Sequence, residues 1–155
     1  MRKPLKNKRV VEADLVYASP LITRFINFIM QSGKKSIAEK IVYSALQKLE
    51  KQLGKTPLEI LEIVVQNAGP QLELKSRRVG GANYQIPYEV KAERRQILAL
   101  RWIIEAARKA KGKPIADKLV AEMLNAYNNT GAAVKKKQDT HRMADANKAF
   151  AHFAW

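Results

Sequence analysis

The sequence predicts a mainly α fold. One six-helix domain is expected, with a two-stranded β-hairpin protruding between helices three and four and a basic N-terminal arm in front. Three observations point there. Apolar residues recur at helical spacing through most of the chain, one interval at about 71–90 switches to a period of two, and residues 1–9 carry five bases and no acid. The length of 155 residues suits one domain, and an apolar fraction of 46% is enough for a real core. The expected division is an arm over residues 1–18 and a helical domain over residues 19–155.

The elements follow in order. Ser19-Pro20 reads as N-cap and first-turn proline of a helix whose apolar positions are Leu21, Phe25, Phe28 and Ile29 and whose stop is Gly33. Ser36-Ile37-Ala38-Glu39 has the form of a capping box. The helix after it repeats Ile41, Ala45, Leu49 and Leu53 and ends at Gly54. Thr56-Pro57-Leu58-Glu59 is a second capping box, for a helix that should end before Gly69-Pro70. Leu72 and Leu74 then alternate with Glu73 and Lys75, and after a Gly80-Gly81 turn alternation returns at Tyr84, Ile86, Tyr88 and Val90. Two such runs about a Gly-Gly turn predict a hairpin. Pro87 is tolerated on a free ribbon edge, and the ribbon must lean on helices or a partner to be stable. A fourth helix is expected from about 92 to 110, with Ile97, Leu100, Ile104 and Ala107 on one face. A fifth should run over about 115–128, and a sixth over about 132–150. No internal repeat is present.

Charge narrows the partners. Lys+Arg number 29 and Asp+Glu 14, a formal net charge of +15. The excess is dispersed. Residues 10–70 hold seven bases against six acids, residues 71–95 six against three, 96–131 six against three, and 132–155 five against two. An arm plus several patches suits a polymer of phosphates touched at many points better than one small anion. A solvated surface would mix the signs more evenly. There is no Cys, which removes disulfide scaffolds, thiol nucleophiles and Cys-ligated metals and is compatible with a reducing compartment. Residues 1–9 are basic and polar with no apolar segment following, so no secretory leader is expected at this end. The greasiest stretches, 21–30 and 97–104, are interrupted by Arg24 and Arg101 and are too short to span a bilayer.

Three constellations are candidates for phosphate contact. On the hairpin, Lys75 and Arg77 project to one face and Arg78 to the other, beside glycines whose bare backbone admits a phosphate or sugar closely. The alternative for these cations is a solvated edge guarded against aggregation. Tyr84 and Tyr88 share a strand face and either stack on bases or pack on the helices. The fourth helix carries Arg94, Arg101, Glu105 and Arg108 on one face, extended by Lys109, Lys111 and Lys113; Arg94 and Arg95, which follow the ribbon directly, are favoured for phosphate contact. Arg101–Glu105 is alternatively a simple intrahelical pair, and Trp102 is either core or a stacking platform. Lys135-Lys136-Lys137 sits at the start of a helix, where cations oppose the macrodipole, a local rule broken without local gain. Lys34-Lys35 forms a smaller patch of the same kind.

Catalysis finds no support. His141 and His152 have no metal-ligand spacing, Asp139-Thr140-His141 lacks a nucleophile and a shared face, and Gly33-Lys34-Lys35-Ser36 is not a phosphate-binding loop. No cofactor, metal or small-molecule substrate is expected. Rival readings are a general DNA-compacting or RNA-chaperone protein, which competition with bulk nucleic acid would reveal, and a helix-turn-helix regulator, which needs a recognition helix and dimer symmetry. Membrane-surface binding comes last, because no helix joins a strong apolar face to a Lys-rich one.

The stretch Glu73-Leu-Lys-Ser-Arg-Arg-Val-Gly-Gly-Ala-Asn-Tyr-Gln-Ile-Pro87 resembles the signature of the bacterial and organellar small-subunit ribosomal protein S-seven family. So do Leu100-Arg-Trp-Ile103, Asn128-Asn-Thr-Gly-Ala-Ala-Val-Lys-Lys-Lys137 and Asp139-Thr-His-Arg-Met-Ala-Asp-Ala-Asn-Lys-Ala-Phe-Ala-His152, with Asn27, Met30 and Gly33-Lys-Lys-Ser36 fitting its first block. The family usually has Asp-Pro where this chain has Asp14-Leu15, and often Arg-Trp where it ends in Ala154-Trp155. The resemblance implies a six-helix domain with a long hairpin and no enzyme activity. It also implies primary binding to the 3′ major domain of 16S rRNA, which starts assembly of the small-subunit head. The site it implies is near exit-site tRNA and the mRNA path, beside other head and platform proteins. Family members occupy the cytoplasmic ribosome, or an organellar matrix or stroma, and some repress their own operon. By matching motif, RNA contact is expected at Lys75, Arg77, Arg78, Gly80, Gly81, Arg94, Arg95, Arg101, Lys135, Lys136, Lys137 and Arg142. It extends to Lys34 and Lys35 and to the arm residues Arg2, Lys3, Lys6, Lys8 and Arg9.

Overall fold

The computed structural model of the chain describes residues 10–153. The arm residues Arg2, Lys3, Lys6, Lys8 and Arg9, and Ala154 at the other end, lie outside them. Within them six α-helices and one antiparallel hairpin follow in the expected order: α1 (Pro20–Ile29), α2 (Lys35–Leu53), α3 (Pro57–Ala68), β1 (Leu72–Val79), β2 (Ala82–Glu89), α4 (Ala92–Lys109), α5 (Ile115–Tyr127) and α6 (Ala132–Ala146). A short 3₁₀ turn (Lys148–Phe153) closes the described chain.

Local chemistry accounts for most boundaries. Thr56 Oγ1 accepts from Glu59 N at 3.4 Å, the cap expected for α3. Gly54 ends α2 in the left-handed conformation, and Gly69-Pro70 follows the last residue of α3. The Ser36 capping box does not form. The helix starts two residues earlier, with Lys34 as N-cap and Ser36 already inside the first turn, and a Lys35–Glu39 pair at 3.7 Å stands on that turn instead. Ser19 is the N-cap of α1 by position, but its hydroxyl makes no cap bond. The sixth helix stops at Ala146 rather than near residue 150, because Asn147 leaves helical geometry and its side-chain amide donates back to Met143 O at 2.7 Å.

One apolar cluster unites all six helices. The face α1 buries is Ile22, Phe25, Ile26 and Ile29, so Leu21 and Phe28 flank it rather than lead it. Likewise α2 buries Ala38, Val42, Ala45, Leu46 and Leu49, with Ile41 and Leu53 at the margin. Helix α4 buries Ala99, Leu100, Ile103, Ile104 and Ala107, leaving Ile97 partly exposed, and Trp102 packs against this core. Ahead of α1, Asp14 is 9% exposed and accepts from Val16 N, Tyr17 N and the Tyr43 hydroxyl, the last at 2.7 Å. Burial and that bond to a carboxylate push the Tyr43 pKa up to about 12. This clasp holds residues 14–17 on α2, and Leu15 is left fully in solvent.

The hairpin pairs Leu72 with Glu89 through Val79 with Ala82. Gly80 and Gly81 have φ of 57° and 91°, the doubly positive backbone that a two-residue turn between twisted strands requires. Opposed residues share a face, so Glu73, Lys75 and Arg77 lie with Tyr88, Ile86 and Tyr84. That face is the packed one. Ile86 is fully buried, Tyr84 meets Phe150 with ring centroids 5.0 Å apart, and both strands rest on α6. Ser76, Arg78, Asn83, Gln85 and Glu89 take the open face.

Candidate nucleic-acid interface

At the hairpin root, side chains from α3, α4 and α6 converge. Arg94 pairs with Glu73 at 3.2 Å, and Glu73 also holds Lys75 at 3.4 Å. Lys75 lies 4.8 Å from the centre of the Tyr88 ring. Arg95 donates to the carbonyls of Gly69 and Gln66 at 3.3 and 3.2 Å, closing orphan acceptors at the end of α3. Lys137 donates to Asn67 O at 2.9 Å, and its ammonium pKa is pushed down by burial and by the neighbouring Arg95 charge. Asn67 sends its own amide to Ala126 O and Tyr127 O, tying α3 to the end of α5. His141 Nε2 accepts from Gln71 N at 3.0 Å, fixing α6 to the residue before β1. Burial and Lys137 lower the pKa of that ring, which favours the neutral form that accepting requires.

Between α4 and α6 the charges interlock. Glu105 meets Lys109 at 2.8 Å and Lys136 at 2.6 Å, and these two lysines hold its pKa down to about 2. The Arg101–Glu105 pair considered from the sequence is therefore replaced. Arg101 instead lies 5.2 Å from the centre of the Phe28 ring and makes no ion pair or hydrogen bond among the described residues. Arg108 donates to Ile29 O at 3.2 Å, closing the end of α1. Lys136 also sits 5.5 Å from the Trp102 ring centre. The amino end of α6 finds its anion across the fold, where Glu122 Oε1 accepts from Ala133 N at 2.8 Å. That carboxylate offsets the three lysines at the helix start.

The expected contact residues thus differ in how far the fold itself engages them. Arg94, Arg95, Lys136 and Lys137 are engaged by other parts of the protein, while Lys35 and Arg142 make short-range pairs with Glu39 and Asp139. Arg77 is half-buried and has interactions of its own. Lys34, Arg78, Arg101 and Lys135 are exposed and make no ion pair or side-chain hydrogen bond among the described residues. Gly80 and Gly81 are exposed at the tip. In space α1 packs on α4, α4 on α6 and α6 on β1, so three of the expected patches lie on successive neighbours. The joints made by Asn67, Glu122 and Arg108 have no local sequence signal. Among the described residues no His, Asp and Glu cluster forms a metal site, and no helix is long and apolar enough to cross a membrane.

Comparison with known proteins identifies the family. The family described as ribosomal protein S7p/S5e matches residues 1–148. The small ribosomal subunit protein uS7 of Fervidobacterium nodosum is 52% identical over 155 residues, covering both chains completely. That of Alkalilimnicola ehrlichii is 54% identical over 148 residues, 96% of this chain and 95% of its own. That of Thermotoga neapolitana is 52% identical over all 155 residues. With six helices, a glycine-tipped hairpin in the expected place and a match spanning nearly every residue, the chain belongs to the ribosomal protein S7p/S5e family.

Proposed function

We propose that this chain is a primary rRNA-binding protein of the small ribosomal subunit. In this reading it grips the 3′ major domain of 16S rRNA and nucleates assembly of the head. Family membership makes it a structural component of the ribosome rather than an enzyme. The observation that carries the rRNA reading is the placement of unpaired cations. Lys34 before α2, Arg78 on β1, Arg101 on α4 and Lys135 on α6 stand at four separate places on one packed body. Each alone binds a phosphate weakly, but joined by a rigid scaffold they raise one another's effective concentration. Such an array recognises the shape of folded RNA, where several backbone segments come together, rather than base edges. The engaged cations Arg94, Arg95, Lys136 and Lys137 keep part of their donors for phosphate while holding the array in place. The arm over residues 1–18, with Arg2, Lys3, Lys6, Lys8 and Arg9, adds further contacts.

The same reading places the hairpin toward the exit-site tRNA and the mRNA path, with neighbouring head and platform proteins as partners. It puts the protein in the cytoplasmic ribosome, or the organellar one if the chain is organelle-encoded, with repression of its own operon as a secondary role. The test is competition. A complex with a 3′ major domain fragment should survive excess tRNA and bulk DNA, and the native protein should sediment with small subunits in high salt. Equal displacement by any polyanion would instead identify a general nucleic-acid binder.

A further inference from the structure

An open groove of about 630 Å³ lies where α1, α3 and α4 meet, lined in part by Ser19, Leu21, Arg24, Glu62, Arg95 and Gln96. Its volume is within the roughly 300–1,000 Å³ of ordinary ligand clefts. Three observations at this spot ask for an anion. Ser19 is only 9% exposed, yet its hydroxyl makes no hydrogen bond, neither the N-cap bond nor any other. Among the described residues no side-chain N or O is both sealed from solvent and unpartnered, so this hydroxyl keeps solvent access, and Ser19 lines the groove. Arg24, on the next turn of α1, is half-buried and pairs with no described residue. A partly desolvated guanidinium without a counter-charge is costly to keep. Finally, α1 has no acidic residue in its first turn and no side-chain cap, so the positive end of its dipole and its first amides are unanswered.

We infer that this groove is an oxyanion site that takes a phosphate, with Arg24 as the bidentate clamp and the Ser19 hydroxyl and the Leu21 amide as further donors. Arg95 forms another wall. Its Nε and Nη2 are committed to carbonyls, so it contributes fixed positive charge. The one acid in the lining, Glu62, is exposed, makes no ion pair, and weakens the site. That the phosphate belongs to an RNA backbone rests on the rRNA reading above; that the groove holds an oxyanion does not.

Two arms separate these statements. Inorganic phosphate titrated into the isotopically labelled full chain should shift the Arg24 Nε–H and Leu21 amide resonances saturably, with sulfate competing. Unsaturable shifts spread over exposed lysines, or none at all, overturn the site. In the second arm Arg24→Gln should weaken binding to a 3′ major domain fragment about tenfold and flatten the salt slope by about one. Arg24→Lys should restore the slope but not the full affinity, because an ammonium cannot make the forked contact. Glu62→Gln should tighten binding about two- to threefold. If Arg24→Gln binds as the unmodified protein does, the assignment to backbone phosphate fails. The rRNA reading then still stands or falls on the unmodified protein's own preference for the fragment.

Discussion

At the root of the hairpin Arg94 meets Glu73, Arg95 meets the carbonyls of Gln66 and Gly69, and Lys137 meets that of Asn67. At the tip Arg78 meets none of the described residues, and Gly80 and Gly81 expose bare backbone. The two ends carry the same class of side chain in opposite circumstances. A cation closing helix carbonyls is already desolvated and oriented, so its removal is felt mainly as lost stability. A solvated cation at an exposed tip contributes little to the fold, so its removal is felt mainly in binding. Positive charge counted along a sequence merges these two roles, and the contacts of the folded chain separate them.

Perturbing the seat of the root should have the largest effect. Gly131, before α6, has φ 94° and ψ 172°, a region almost restricted to glycine, and a Cβ there would lie 2.9 Å from Asn125 Cβ. Gly131→Ala should cost about 3 kcal/mol in urea unfolding, from strain and overlap together, and loosen the α6 contacts that seat the hairpin. Next, Arg95→Ala should cost about 2 kcal/mol by leaving two carbonyls without their donor. If stability is untouched while RNA affinity collapses, the division between root and tip is wrong.

At the tip the expectation inverts. Arg78→Ala should leave the unfolding midpoint nearly unchanged, within about 0.5 kcal/mol. It should weaken binding to the rRNA fragment by about 1–2 kcal/mol and flatten the salt slope by about one. An unchanged slope removes Arg78 from the interface. The smallest effect concerns Glu105, whose carboxyl sits at about 2 against an ordinary 4.5 because Lys109 and Lys136 favour its charged form. A carboxyl lowered on folding adds stability that is complete above its unfolded pKa and disappears as pH falls toward 2. With 43% of the side chain exposed, solvent screening leaves only a few tenths of a kcal/mol. Melts from pH 6 to 2.5 should therefore show Glu105→Gln slightly below the unmodified protein at the upper end and level with it at the lower.

Signals confined to a few neighbouring residues were legible in the sequence. Thr56-Pro57 and Gly54 punctuate helices as expected, and the Gly80-Gly81 turn sits between the strands it implied. The Ser36 box failed because the helix begins two residues before the start it implies, which puts Ser36 inside the first turn rather than at the N-cap. Face assignment in α1 slipped although the helix is strongly amphipathic: Thr23, Arg24 and Asn27 mark its polar side, and the i, i+3, i+4, i+7 set Ile22, Phe25, Ile26 and Ile29 lies opposite them. The structural roles of Arg95, Lys137 and Arg108 were not legible, since their partners lie 26, 70 and 79 residues away in the chain. Charge and motif nominated cationic surfaces without showing which cations the fold itself engages.

Asn67 binds two carbonyls of α5 through its side chain and receives Lys137 from α6 on its own carbonyl, while His141 of the same helix accepts from Gln71 just before β1. These few polar bonds form a fulcrum. Each strand has eight residues, so the lever beyond them is roughly 26 Å long at about 3.3 Å per residue. A tilt of about 10° at the fulcrum swings the far end by roughly 4–5 Å, more than the reach of a hydrogen bond. Aim at the distant end is therefore set at the root by Asn67, Lys137 and His141 and held nearer the tip by Tyr84 against Phe150.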